Sequence, residues 1–208
     1  MNILVTGGLG FIGHNVIRKL EALGHNVAVV DTRTNYGVLA QQEVDYLVSE
    51  RIKTIKTTRL HRVDIVDYNG IDWIMRTYKP ELIIHLASFP RQKAVSKHPL
   101  WAADVMGTSL VHLLEMTKAY RIPKFVYISS SMVYGDFEDG VCEDAKCSPQ
   151  GQYGIMKLMG EELVRDYTRR GCFKHTIIRP SAVYGEYDVE DRVVSKFILA
   201  AIRGQTLK

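Results

Sequence analysis

Tyr153 and Lys157 stand four residues apart in Tyr153-Gly154-Ile155-Met156-Lys157, where a helix-period segment begins. On a helix this spacing puts both side chains on one face. A phenol near its ordinary pKa of ~10 is a poor base at neutral pH. A neighbouring ammonium favours the phenolate, and lowering the pKa by about two to three, roughly 3–4 kcal/mol, brings the phenol into working range for taking a proton from an alcohol. A Tyr–Lys pair of this kind occurs by chance in many helices. The companion that would give it meaning is a hydroxyl at the end of a preceding strand, and Ser129-Ser130-Ser131 is placed there. Serines at a loop start are by themselves usually caps or turn formers.

A second set of residues could hold an anion. Thr6-Gly7-Gly8-Leu9-Gly10-Phe11-Ile12-Gly13 follows an apolar run at the very start of the chain and leads into a helical pattern. In a GxxGxxG turn of this kind Gly7 permits a tight turn, Gly10 lets backbone approach a pyrophosphate, and Gly13 lets helix and strand pack closely. The helix N-terminus adds free N–H groups and a partial positive charge. Asp31 lies at the end of the next expected strand, where a carboxylate accepts hydrogen bonds from an adenosine ribose and repels a 2′-phosphate, which favours NAD over NADP. Arg33 is the opposing sign, since a guanidinium there could pair with that phosphate or simply be solvated in a loop.

The elements that must position these groups alternate. Strands are expected at 3–6, 27–31, 60–64, 82–86, 124–129 and 176–179, with helices between them, and a loop followed by a polar helix at 32–56. Further helices are expected at 67–78, around Leu110, Leu113, Leu114 and Thr117, and at 153–170, while 135–152 reads as a polar, Gly-rich loop. Six strands with intervening helices predict an α/β doubly wound parallel sheet of the Rossmann type. The expected division is a dinucleotide-binding domain at 1–180 and, at 181–208, only the beginning of a smaller, truncated C-terminal substrate region. There Val193, Val194, Phe197, Ile198, Ala201 and Ile202 recur at helical spacing, and a strand start is expected at 205–208.

Composition narrows the function classes. The 208 residues are 46% hydrophobic and 24% charged, with a net charge of +4, which describes an ordinary globular chain with a mild basic excess. Lys and Arg form no block and no nucleic-acid motif accompanies them, so no nucleic-acid partner is expected. No stretch approaches the ~20 apolar residues of a membrane helix, and no basic leader precedes the first strand. Cys142, Cys147 and Cys172 are sparse and in no CxxC pair, which fits reduced thiols in a cytoplasmic protein; the His residues show no metal-ligand spacing, so no metal is expected.

Five stretches in order resemble the extended short-chain dehydrogenase/reductase family, in its NAD-dependent nucleotide-sugar epimerase/dehydratase branch. They are the glycine turn through Gly13, Asp64-Ile65, His85-Leu86-Ala87-Ser88, Ser129 to Gly135 (SSSMVYG), and Tyr153 to Lys157; Arg179 to Gly185 (RPSAVYG) adds a sixth. The resemblance covers essentially the whole chain. It implies Tyr153 as acid/base, Lys157 as the group that holds the nicotinamide ribose and tunes Tyr153, and Ser130 as the catalytic hydroxyl. It further implies that Asp64 and Ile65 flank the adenine and that the backbone of Leu86, Ala87 and Ser88 lines the cofactor. His85 reads as a buried strand residue.

Two positions depart from the family pattern. Met132 stands where dehydratases of the family carry an acid, and Met cannot donate a proton, so 4,6-dehydration loses support. Asp104 opens Asp104-Val105-Met106-Gly107-Thr108, where an Asn is common. The resemblance therefore implies a nucleotide-sugar epimerase, foremost a 4-epimerase working through a transient ketosugar and forming a homodimer at full length. A reductase, dehydrogenase or dehydratase of the same family, or a catalytically silent NAD-binding module, are the alternatives; net change in NADH separates epimerase from dehydrogenase.

Overall fold

In a computed structural model the chain is described over residues 1–136, 140–189 and 193–206. Six parallel strands form one sheet in the order β3-β2-β1-β4-β5-β6. They are β1 Asn2–Thr6, β2 Asn26–Val30, β3 Leu60–His61, β4 Leu82–His85, β5 Lys124–Ile128 and β6 Lys174–Ile178. The order reverses between β1 and β4, so the connections leaving those two strands diverge and open a crevice at their C-terminal ends. This is the doubly wound Rossmann arrangement expected from the alternation.

Period-2 alternation along the strands divides the core into two layers. Leu4, Ala28, Val30 and Ile83 face one side with Phe89, Phe125, Leu110 and Leu114, whereas Ile3, Val5, Val27, Val29 and Ile84 face the other with Ile17, Val44 and Val48. The helices covering these faces are α1 Phe11–Ala22, α2 Gln41–Lys53, α3 Tyr68–Tyr78, α4 Gln92–Lys97, α5 Pro99–Ala103, α6 Ser109–Ala119 and α7 Gly151–Arg169, with α8 Val193–Ile202 following the sheet. Asp67 caps α3 by accepting the Gly70 N–H at 3.0 Å. Lys79, in the left-handed region, ends it ahead of Pro80.

Several expected boundaries move. β3 does not run to residue 64: its partner β2 ends at Val30, and the last rung of the pair is Asp31 N–H to the His61 carbonyl. β6 begins two residues early, at Lys174, and stops at Ile178, because Arg179 turns to an ion pair described below. The helices α4 and α5 are additions to the sequence reading. α5 runs into α6 through a π-helical turn at Asp104–Thr108, and Asp104 is exposed at its start. The strand start expected at 205–208 falls in part outside the described residues, and residues 205–206 form neither helix nor strand.

Candidate active site

The glycine turn links β1 to α1 at the mouth of the crevice. Gly7 has φ 68°, and a Cβ there would lie 2.7 Å from the Ala87 nitrogen, so the turn closes directly on the Leu86-Ala87 backbone. At Gly13 a Cβ would sit 2.5 Å from the Gly7 carbonyl oxygen, so only glycine lets α1 start this close to the turn. Gly10 occupies the N-cap of α1 in extended conformation, with no side-chain cap and no acid in the first turn. The Phe11, Ile12 and Gly13 end of the helix therefore keeps the positive end of its dipole uncompensated by side chains.

Asp31 sits just past β2 and faces this turn. Its Oδ2 accepts the Leu9 N–H at 2.9 Å and its Oδ1 the Arg33 N–H at 2.7 Å. Burial raises its pKa while these two backbone donors and Arg51 act against the rise. A carboxylate offers about four acceptor sites, so each oxygen retains room for a further hydroxyl donor. Arg33 has φ 58° and a buried Nε without a hydrogen-bond partner among the described residues. Asp64 lies in the turn after β3, its Oδ1 accepting the Val66 N–H at 3.2 Å, and Ile65 beside it is buried. The glycine cradle, the uncapped helix end and the carboxylate at the end of β2 fit a dinucleotide diphosphate with its adenosine ribose.

On the other side of the switch point, α7 presents Tyr153, Lys157 and Glu161 at i, i+4 spacing. Lys157 is buried, donates to the Ile128 carbonyl at 2.8 Å, and holds its Nζ 5.8 Å from the Tyr153 ring centre and 5.4 Å from that of Tyr127. Burial lowers its pKa to about 7. Two residues past Ile128, the Ser130 hydroxyl accepts the Met132 N–H at 3.2 Å and opens a 3-10 turn at Ser131–Val133. That turn packs on the first turn of α7: a Cβ at Gly154 would be 2.7 Å from the Met132 carbonyl oxygen. The structure thus brings Ser130, Tyr153 and Lys157 to one place at the C-terminal ends of the strands. Met132 itself is 40% exposed and offers no proton.

Three supporting groups were not assigned a role from sequence. Glu161 is fully buried and accepts from Ser129 Oγ at 2.6 Å, from Arg179 Nε and Nη2 at 2.8 and 2.7 Å, and from Arg165 at 2.9 Å. Burial raises its pKa, but the hydrogen bonds from Arg179 and Ser129 outweigh this and hold it below the ordinary carboxylate value. Arg179 also donates to the Tyr134 hydroxyl at 2.9 Å, which joins the SSSMVYG and RPSAVYG stretches. Gln92 of α4 accepts the Tyr153 N–H at 2.9 Å and so satisfies an orphan donor at the start of α7. An acid four residues after Lys157, on a helix face that must be buried, is a signal that could have found Glu161; Gln92 carries no such signal. His85, as expected, is a buried strand residue: it shares a 2.7 Å hydrogen bond with Thr6 Oγ1, and burial lowers its pKa to about 3.

The doubly wound sheet, the glycine cradle and the Tyr–Lys face of α7 define a domain of the extended short-chain dehydrogenase/reductase type. The model of the NAD dependent epimerase/dehydratase family matches residues 3–208, and the chain belongs to that family. It is 32% identical over 165 residues to UDP-glucose 4-epimerase 4 of Oryza sativa subsp. japonica, a match covering 79% of this chain and 44% of that protein. Among solved structures, the UDP-glucose 4-epimerase of Thermotoga maritima with UDP-glucose has a TM-score of 0.85 at 28% identity, covering 100% of this chain and 65% of that one. UDP-glucuronic acid 4-epimerase from Bacillus cereus, in complex with UDP-glucuronic acid and NAD, also has a TM-score of 0.85, at 26% identity and with the same coverage. The chain thus spans under half of the rice relative and about two thirds of the solved chains.

Proposed function

We propose that this chain is the NAD-binding and catalytic part of a nucleotide-sugar 4-epimerase, an isomerase acting on a UDP-sugar. The observation that carries the proposal is the buried Lys157, held by the Ile128 carbonyl beside Tyr153, on the face of α7 that packs against the turn carrying Ser130. Gly7, Gly10 and the N–H groups of Phe11, Ile12 and Gly13 would hold the diphosphate of NAD, Asp31 its adenosine ribose with Arg33 alongside, Asp64 and Ile65 its adenine, and Leu86, Ala87 and Ser88 the wall of the crevice. Bound there, NAD supplies the acceptor, and then the donor, of the hydride exchanged at the sugar carbon. Tyr153 takes the proton of the sugar hydroxyl at its phenol oxygen and returns it, while Ser130 hydrogen-bonds the same sugar oxygen. The Lys157 ammonium favours the phenolate electrostatically and, by its hydrogen bond to Ile128, is fixed in place to do so.

Residues 1–180 are assigned to dinucleotide binding and 181–208 to the beginning of the substrate region, where Val193, Phe197, Ile198 and Ile202 of α8 leave an apolar face exposed. A cytoplasmic homodimer of the full-length protein goes with this reading. Its contact face would be formed by α6 and α7, where Val111, Ile155 and Met159 are exposed and the Met159 methyl lies over Gly107. No helix among the described residues is long and apolar enough to cross a membrane. The activity is tested by incubating the full-length protein with NAD and millimolar UDP-glucose or UDP-glucuronic acid: the reading predicts the 4-epimer as product, whereas residues 1–208 alone are expected to bind NAD with little or no binding of the nucleotide sugar. A 4-keto-6-deoxy sugar would instead favour the dehydratase alternative.

A further inference from the structure

The glycine turn is fastened to a segment that the chemistry above does not use. Arg51, on the inner side of α2, is buried; its Nη1 donates to the Leu9 carbonyl at 3.0 Å, and its Nη2 and Nε donate to the Tyr187 carbonyl at 2.8 and 3.3 Å. The N–H of the same Leu9 donates to Asp31, so this residue of the turn is held at both its N–H and its carbonyl. Residues 185–188 lie along the start of α1. A Cβ at Gly185 would be 3.4 Å from Phe11 Cζ, and the Tyr187 ring meets His14 edge-on at 6.0 Å. Tyr187 has φ 65°, a conformation that a bulky residue keeps only where its surroundings impose it. The guanidinium forms the fork that joins the two backbones, and Asp31 and Asp188 are its carboxylate neighbours.

We propose that Arg51 is a positioning residue that straps residues 185–188 onto the glycine turn and thereby slows release of the dinucleotide. The proposal rests on the reading that this turn holds NAD. Any movement that widens the turn must pull the Leu9 carbonyl away from Arg51 and leave a buried cation short of acceptors, which opposes the movement. An enzyme that returns the hydride to its own substrate needs the cofactor to remain until that return, so slow release serves the proposed reaction.

The test is the dissociation rate of NADH, followed by its fluorescence, for the wild-type chain, Arg51→Met and Arg51→Lys, with association rates and thermal midpoints measured alongside. Loss of charge-assisted hydrogen bonds is expected to accelerate release about ten- to hundredfold in Arg51→Met, with association changed by no more than a few-fold. Arg51→Lys, which keeps the charge but not the fork, is expected to fall between. A folded Arg51→Met that releases NADH at the wild-type rate overturns the proposal. Should that variant not fold, a wild-type rate in Arg51→Lys overturns it equally. A purely structural role would lower the thermal midpoint without changing release at temperatures where both proteins are folded. Wild-type protein that binds no NADH would remove the reading of the site and this proposal together, whereas normal wild-type binding with an unchanged variant rate removes the proposal alone.

Discussion

At the residue scale, Lys157 and Tyr153 carry separable consequences. Burial depresses the Lys157 pKa from 10.5 to about 7, so between those values the unfolded chain binds more protons than the folded one. The stability of the cofactor-free protein therefore rises with pH from about 7 towards 10.5 on account of this group. Replacing Lys157 by Met should flatten that part of the profile, read from urea midpoints at pH 7 and 9; an unchanged rise would mean that burial does not control this lysine. In the proposed reaction the Tyr153 hydroxyl acts on the sugar and the ring only packs, so Tyr153→Phe should lower turnover by about 10²–10⁴ while leaving NAD affinity within a few-fold. A variant that keeps more than about a tenth of wild-type activity would exclude Tyr153 as the base.

The sequence singles out these two residues, Ser130, the glycine turn and Asp31 as a candidate site because each belongs to a short local pattern. Gln92 and Arg51 are not singled out, and Glu161 only through its place four residues after Lys157. Gln92 is 61 residues from Tyr153, and Arg51 is 42 from Leu9 and 136 from Tyr187, so the contacts that give these side chains their roles exist only once the sheet has formed.

At the scale of elements, the buried Glu161–Arg179–Ser129 network adds to the apolar packing of α7 on the sheet. Glu161 is enclosed and Arg179 nearly so, with its side chain 10% exposed. Breaking one partner of such a pair leaves an uncompensated buried charge, a loss on the order of 3–5 kcal/mol. Glu161→Gln should accordingly destabilise the protein by that order in urea unfolding and loosen the Ser129 turn; a loss below about 1 kcal/mol would show that the pair is solvated. The strand–helix alternation was readable because the central strands are unbroken apolar runs. The length of β3 was not, since a strand ends where its neighbour does, and α4 and α5 are too short to show a period.

For the whole molecule, the α6–α7 face makes the oligomeric state a measurable consequence. Light scattering of the full-length protein should give twice its chain mass for the wild type and a single chain mass for Met159→Lys, which puts a charge among the exposed apolar side chains of α7; a monomeric full-length wild type would exclude the homodimer. In the proposed reaction Tyr153, Ser130 and Lys157 serve a reversible oxidation at the sugar carbon, with the same hydride removed and returned. The decisive measurement uses UDP-glucose carrying deuterium at C4, incubated with the full-length protein and NAD, followed by isotope analysis of the 4-epimer and of the cofactor. The expected result is a 4-epimer that retains the deuterium at C4, with no net reduced cofactor. Exchange of the label with solvent, or reduced, deuterated cofactor accumulating in step with oxidised sugar, would contradict it.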